Sequence, residues 1–452
     1  MPNQYPTPEE GVQASDQVSK TLAHDLELFL LPLLIWLDRL IDKRLVRTLL
    51  KTVACILEFR QRANGLLLSE LGAYILSPAQ AAAGTKRLSN LLRSQKWTAQ
   101  IIEEFFWQQA DTRVQELAQR GEDSLFIWDE SVLEKPESLK AEGLCAVRSS
   151  KARRLTRIKP GYYTPPRGPI FVPGLNWLAV LLAGREGPPS LVALQWWTTR
   201  GPLQAHKREV EESLVLRCAR AWGGRVLHVF DRGFAGGPWL ERCKRLALRF
   251  VVRWPKDYHL LDEAAHKRKA WHITRGKRSW AERQVWDGRR QQWYQAGVLA
   301  VPVSHPQHGM GLWLVVSRPG KGRPPWYLLT NEPIRCEQDA WRVVFASARR
   351  WQIELCWRVN KSELAFESPR LWSWEGRVKL LLMAALAYAF LLTLLDPAHE
   401  HLRVWLLRWW CHRTGKRSQA ASTPLYRLRW AISRLWLAFD PALAFSFPQN
   451  SG

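Results

Sequence analysis

The chain has 452 residues, enough for two to four domains and a sizeable core. Its 46% hydrophobic content excludes a disordered chain, and its 66 Lys and Arg against 41 Asp and Glu, a formal net charge of +25, favour a polyanionic partner, nucleic acid first. Seven cysteines without a CxxC pair exclude a disulfide framework and predict reduced thiols in a cytoplasmic protein.

Residues 1–20 are polar, carry Pro2, Pro6 and Pro8, and read as a loose tail. The acidic residues before the first apolar run are not those of a signal peptide. From Leu26 to Leu117 apolar residues recur at helical spacing, beginning Leu26, Phe29, Leu30, Leu33 and Leu34. Pro32 lies inside that run and predicts a kink or a new helix start. After Ser77-Pro78 comes a basic segment with Lys86, Arg87, Arg93 and Lys96 around Leu88, Leu91 and Leu92. Two readings fit it: the second helix of a helix-turn-helix facing DNA, or a surface helix with a solvated basic face.

Leu125 to Trp128 is an apolar run that predicts a strand buried on both faces, ending in Asp129. Arg148 to Pro173 is rich in Gly, Pro, Tyr and cations, Arg153 and Arg154 among them. It reads as a long loop that either holds a phosphate backbone or is simply solvated. Leu175 to Leu182 and Leu191 to Trp197 predict strands, and His206 to Trp222 a helix. Val226 to Phe230 repeats the pattern of the first strand and ends in Asp231, followed by Arg232-Gly233-Phe234. A helix over 237–246 and a short strand ending at Arg253 come next. In an α/β sheet the catalytic crevice lies at such C-terminal strand ends.

Between Pro255 and Pro325 the character changes to cations interleaved with Trp271, Trp280, Trp286 and Trp293. This predicts a β-rich insertion, with strands at Val298 to Val303 and Leu312 to Val316. The basic and aromatic residues suit backbone contact and base stacking, or a Trp-filled β core with a solvated exterior. Trp326 to Thr330 is again strand-like. Leu380 to Leu395 is shorter than the ~20 residues a membrane helix needs, so a buried core helix over 375–395 is expected and no membrane partner. His401 to Phe439 predicts two amphipathic basic helices. His399, His401, Cys411 and His412 match no zinc spacing.

The segment Ala348 to Glu363 has no Gly or Pro and predicts one helix continuing from Glu337. On it Arg350, Glu354 and Lys361 fall within roughly 40° of one another. Trp351, Leu355 and Val359 form an apolar stripe to one side, with Ile353 and Trp357 on the other. Alone, an Arg/Glu pair four apart is an ordinary helix stabiliser. Together with Asp129 and Asp231 it becomes chemistry. Three carboxylates from two strands and a helix can hold two divalent ions for in-line attack on a phosphodiester. Glu130 is an alternative ligand, but neighbours on a strand point to opposite faces.

Arg350-xxx-Glu354-xxxxxx-Lys361 resembles the R-E-K part of the Y-R-E-K signature of bacterial insertion-sequence transposases of the IS-four type, within the DDE superfamily. W-D-E-S at 128–131, F-D-R-G-F at 230–234 and L-L-T-N at 328–331 resemble its other landmarks. The signature's Tyr falls at Ser347, which leaves a hairpin intermediate open. The resemblance implies an α/β, RNase H-like catalytic core interrupted by a β-rich insertion, with helical N-terminal and C-terminal regions. The expected division is 1–120 (DNA-binding), 121–255, the insertion at 256–325, 326–396 and 397–452.

The resemblance further implies that Asp129, Asp231 and Glu354 bind two Mg2+ or Mn2+ ions, and that Arg350 and Lys361 hold DNA-end phosphates. Arg232, Arg253, Lys86, Arg87, Arg93, Arg153 and Arg154 are the other candidate DNA contacts. The implied activity is cut-and-paste transposition by a homodimer in a synaptic complex, in a bacterial cytoplasm. A copy that binds DNA without cutting it, and a nuclease without strand transfer, are the alternatives.

Overall fold

The computed structural model describes residues 8–135, 140–150, 168–287, 292–309, 311–320, 322–411, 424–441 and 443. The apolar runs read above become the middle of one mixed sheet. Strand β1 (Ser124–Glu134) lies antiparallel to β3 (Phe171–Ala183), whose other edge pairs with β2 (Cys145–Arg148) and β4 (Ser190–Trp197). On its opposite side β1 runs parallel to β5 (Val226–Phe230), and β5 parallel to β6 (Arg249–Arg253). Four antiparallel strands joined to two parallel ones, with helices on both faces, are consistent with an RNase H-like core.

The strand-rich segment after β6 continues this sheet edge-on. Strand β12 (Trp326–Thr330) pairs antiparallel with β6, then β11 (Gly311–Arg318) with β12 and β10 (Gln292–Ser304) with β11. Strand β9 (Ala281–Asp287) and the short β7 (His259–Leu261) pair with β10, and β8 (Lys267–Lys269) with β7.

Alternation along β1 sends its side chains to two separate cores. Leu125 and Ile127 join the core under the N-terminal and C-terminal helices. Phe126 and Trp128 join the core on the other face, with Leu214, Cys218 and Trp222 of a helix over Lys207–Trp222. A one-residue change of register would therefore exchange the faces of every residue on this strand.

The first core is organised around a helix over Trp374–Thr393 that is apolar on all sides. Helices α1 (Pro8–Asp38), α2 (Lys43–Glu58), α3 (Leu68–Ile75), α4 (Ala81–Arg93) and α5 (Gln100–Gln119) build the layer around it, with the C-terminal helix Leu425–Ala438. The central helix is long and apolar enough to cross a membrane, yet 89% of its most apolar window is buried inside the protein. Its two cations are satisfied by backbone carbonyls: Arg377 donates to Glu142 and Leu371, Lys379 to Leu92 and Ser94. Leu386 is fully buried there. Leu386→Ala is expected to cost about 2–5 kcal/mol, because the tight surroundings cannot collapse onto the cavity; urea melts measure it.

Two expectations for the N-terminal region are corrected. Helix α1 begins at Pro8 and takes up most of the stretch read as a tail. Ser15 and Ser19 are buried in it, and Ser19 Oγ donates to the Phe439 carbonyl at 2.9 Å. The helix also runs through Pro32 without a break. Pro32 and Leu28, whose carbonyl loses its partner, are both exposed, so water replaces the missing hydrogen bond. Helices α3 and α4 cross at a pair of glycines. A Cβ on Gly84 would stand 2.0 Å from the Gly72 carbonyl oxygen, so no larger residue fits.

Candidate active site

The two strands that end in aspartate are neighbours. The last parallel pair of β1 and β5 is Ile127 with Val229, and Asp129 and Asp231 each stand two residues further on. The carboxylates are thus in step on adjacent parallel strands. Strand β5 stops at Phe230, whereas β1 continues beside β3 to Glu134, which corrects the expectation that β1 ends at Asp129. Asp231 caps a short turn over Arg232–Phe234 by accepting from the Gly233 N–H at 2.6 Å, and buried Phe234 anchors that turn on Phe230 and Trp239.

The single helix predicted over 337–363 is broken. Helix α8 (Glu337–Arg349, after Lys207–Trp222 as α6 and Gly237–Arg245 as α7) stops at Arg350. Helix α9 (Trp351–Arg358) follows, and the last turn widens to a π-helix over Val359–Glu363. Fully buried Asn360 donates from its side chain to the Cys356 carbonyl at 2.9 Å, which the Val359 N–H also reaches. The buried side of α9 is Ile353, Cys356 and Trp357, whereas Trp351, expected in an apolar stripe, is 60% exposed. Ser347, where the signature has Tyr, is buried on α8.

Glu354 therefore projects from the first turn of α9 with its side chain 41% exposed. Arg350 Nη1 lies 3.5 Å from Glu354 Oε1 and 3.7 Å from Asp129 Oδ2, so one nitrogen spans the two carboxylates. Asp129 Oδ2 also accepts from the Trp357 indole N–H at 3.0 Å, and its Oδ1 accepts from the Glu130 backbone N–H at 2.9 Å. Burial, then the charge of Asp231, pushes the Asp129 carboxyl up to about 6; Trp357 and Arg350 oppose the shift and Glu354 adds to it.

Lys361 lies in the π turn and reaches β1, where its Nζ donates to Ser131 Oγ at 2.7 Å. Arg253 is held below its ordinary value by burial, then by Arg232 and Arg350, while Asp231 acts in the opposite sense. Arg253 thus feels the charges of two other arginines and of the second aspartate. Glu130 faces the other way and pairs with Lys207 of α6, which removes it from this group of carboxylates. Burial pushes its carboxyl up to about 7 against the pull of Lys207.

Among the described residues no group of three or more His, Cys, Asp or Glu side chains lies close enough to hold an ion. That applies to His399, His401 and Cys411 as well; His412 lies outside the described residues. The donors at Asp129, Asp231 and Glu354 nevertheless suit a hard divalent cation: all are carboxylates, and burial first, then the neighbouring acidic charges, raises the first of them. Lys86, Arg87 and Arg93 are exposed on α4 in the helical layer, and Arg153 and Arg154 lie outside the described residues. Sequence reasoning missed the polar role of Trp357, read there only as an apolar flank. Its position three residues after Glu354, on a neighbouring ridge of the helix, was the available signal.

No curated protein matches the chain. Among solved structures, a piggyBac transposase synaptic complex with hairpin DNA is similar at 13% identity and a TM-score of 0.32, over 68% of this chain and 52% of that one. The chain thus spans about half the length of that protein, and so distant a likeness carries no argument. Residues 202–390 match the family model of the transposase DDE domain. That match, which takes in Asp231 and Glu354 and leaves Asp129 outside, supports a DDE transposase.

Proposed function

We propose that the protein is a cut-and-paste DNA transposase of the insertion-sequence type, acting as a homodimer on the terminal repeats of its own element in a bacterial cytoplasm. The observation that carries this reading is the in-step pair Asp129 and Asp231, joined to Glu354 through Arg350. These three carboxylates would hold two Mg2+ or Mn2+ ions, which supply an activated nucleophile and stabilise the leaving oxygen. Arg350, Arg232 and Arg253 hold phosphate oxygens beside the carboxylates, since three crowded cations are relieved by an anion. Lys361 braces the turn behind Glu354 and contacts the DNA end, while exposed Lys86, Arg87 and Arg93 follow the duplex backbone.

Ionisation sets a pH dependence. A metal ligand must be deprotonated, so cleavage is expected to fall as pH drops through about 6, where Asp129 takes up its proton. Stability moves the opposite way. The folded-state value lies above the ordinary 3.8, so the folded protein binds this proton more readily, and the group's contribution improves as pH falls from 6 toward 4. A pH–rate profile and urea melts at pH 7 and 5 check the two directions.

The reading is tested with supercoiled plasmid carrying the DNA that flanks the gene, incubated with protein and Mg2+. Cuts at the repeat boundaries and joined products support it. Binding without cuts favours the DNA-binding alternative, and nicks without joining favour a nuclease.

A further inference from the structure

The indole of Trp357 makes a contact that neither packing nor charge pairing requires. Trp357 is buried, and its ring lies 4.4 Å from that of Trp177 on β3. Trp177 in turn stacks on Trp196 at 4.5 Å and packs on Phe366 at 5.4 Å. A phenylalanine would keep a ring in this aromatic column, at some packing cost. The N–H, however, is aimed at Asp129 Oδ2 at 3.0 Å, while Oδ1 is taken by the Glu130 backbone. Two fixed donors therefore set the plane in which the first carboxylate lies.

The same side of β1 receives a second bond from the helix: Lys361 Nζ donates to Ser131 Oγ at 2.7 Å. Asp129 and Ser131 are two apart on a strand, about 7 Å. Trp357 and Lys361 are four apart, about 6 Å along a helix. The two bonds thus fasten α9 and its π turn to β1 in register. Glu354 stands three residues before Trp357 on the same helix, so fixing Trp357 to Asp129 also fixes the spacing of the first and third carboxylates. Arg350 bridges the same pair at longer, looser distances.

We infer that Trp357 is a positioning residue: its indole N–H holds Asp129 at the orientation and the distance from Glu354 that two divalent ions need. This rests on the three-carboxylate reading of the site. It adds a donor that acts through Asp129 and touches neither ion nor DNA.

Mn2+ titrations of the full chain, followed by electron paramagnetic resonance, test it on four proteins: wild type, Asp129→Ala, Trp357→Phe and Trp196→Phe. Trp357→Phe keeps a ring in the column and loses the N–H. Trp196→Phe disturbs the same column without touching Asp129, and thermal melts report the packing cost of each. The expected result is Mn2+ affinity weakened on the order of tenfold in Trp357→Phe, lost in Asp129→Ala and unchanged in Trp196→Phe. Wild-type affinity in Trp357→Phe, or an equal loss in both tryptophan variants, overturns the positioning role while leaving the carboxylate reading intact. A wild type that takes up no Mn2+ overturns the carboxylate reading itself, and the positioning role with it.

Discussion

Glu354→Gln is expected to lower Mg2+-dependent cleavage of the flanking-DNA plasmid by on the order of 10^3-fold or more. The substitution keeps the size of the side chain and removes the charge that an ion needs. Glu354 is 41% exposed, and Gln has nearly its shape, so the variant should fold as the wild type does. What it loses in stability is its pairing with Arg350, an i, i+4 contact worth about 0.5 kcal/mol. DNA binding without metal should hold or strengthen, since one negative charge near the phosphates is gone. Gel separation of supercoiled, nicked and linear plasmid reads the first effect, and fluorescence anisotropy the second. Identical products from the two proteins would remove Glu354 from the chemistry and end the enzymatic reading.

Glu363→Ala should have the largest effect on stability of any single charge change near the site. The Glu363 side chain is 5% exposed and accepts from Arg60 Nη2 at 2.8 Å and Arg62 Nη2 at 3.0 Å. Arg60 in turn lies over the ring of Trp430, 4.2 Å from its centroid. Fully buried Arg429, from the same C-terminal helix as Trp430, donates to the carbonyls of Ile56 and Phe59 at the end of α2. Burial, then the charge of Arg60, pushes the Arg429 guanidinium down to about 9, and Glu363 opposes the shift. One carboxylate thus compensates cations from two parts of the chain.

Removing it leaves half-buried Arg60 and fully buried Arg429 mutually repelling, a loss of about 3–5 kcal/mol. Arg62, at 70% exposure, serves as the control: Arg62→Ala should cost no more than about 1 kcal/mol. Urea melts of both variants give the comparison. A Glu363→Ala protein within 1 kcal/mol of wild type would mean that water or a rearranged side chain takes the carboxylate's place. Because Glu363 closes the π turn, the variant should also speed amide exchange over 359–363, behind Glu354.

Much of the sheet was legible because its strands are short apolar runs between polar breaks. Val226 to Phe230 and Trp326 to Thr330 have the bounds read from sequence, since Gly223-Gly224, Asp231 and Pro325 interrupt the pattern at those points. Pro32 misled because proline's cost depends on where its lost bond faces, and here it faces water. The helix over 337–363 misled for a related reason. Its residues favour helix throughout, but nothing local says that Asn360 will be buried and bond back to Cys356. The last turn widens there, and Lys361 donates from it to Ser131 on β1.

By itself the sequence determined that Asp129 and Asp231 end or interrupt apolar strands, that an acid and a base share a helix, and that positive charge is in large surplus. These are properties of residue order, because hydrophobic runs and charge counts do not depend on what packs against them. Only the tertiary structure decided that Asp129 rather than Glu130 looks toward Glu354, that one arginine spans two of the carboxylates, and that an indole holds the first of them. A period of two tells which residues of a strand share a face, but which helix covers that face depends on contacts made hundreds of residues away.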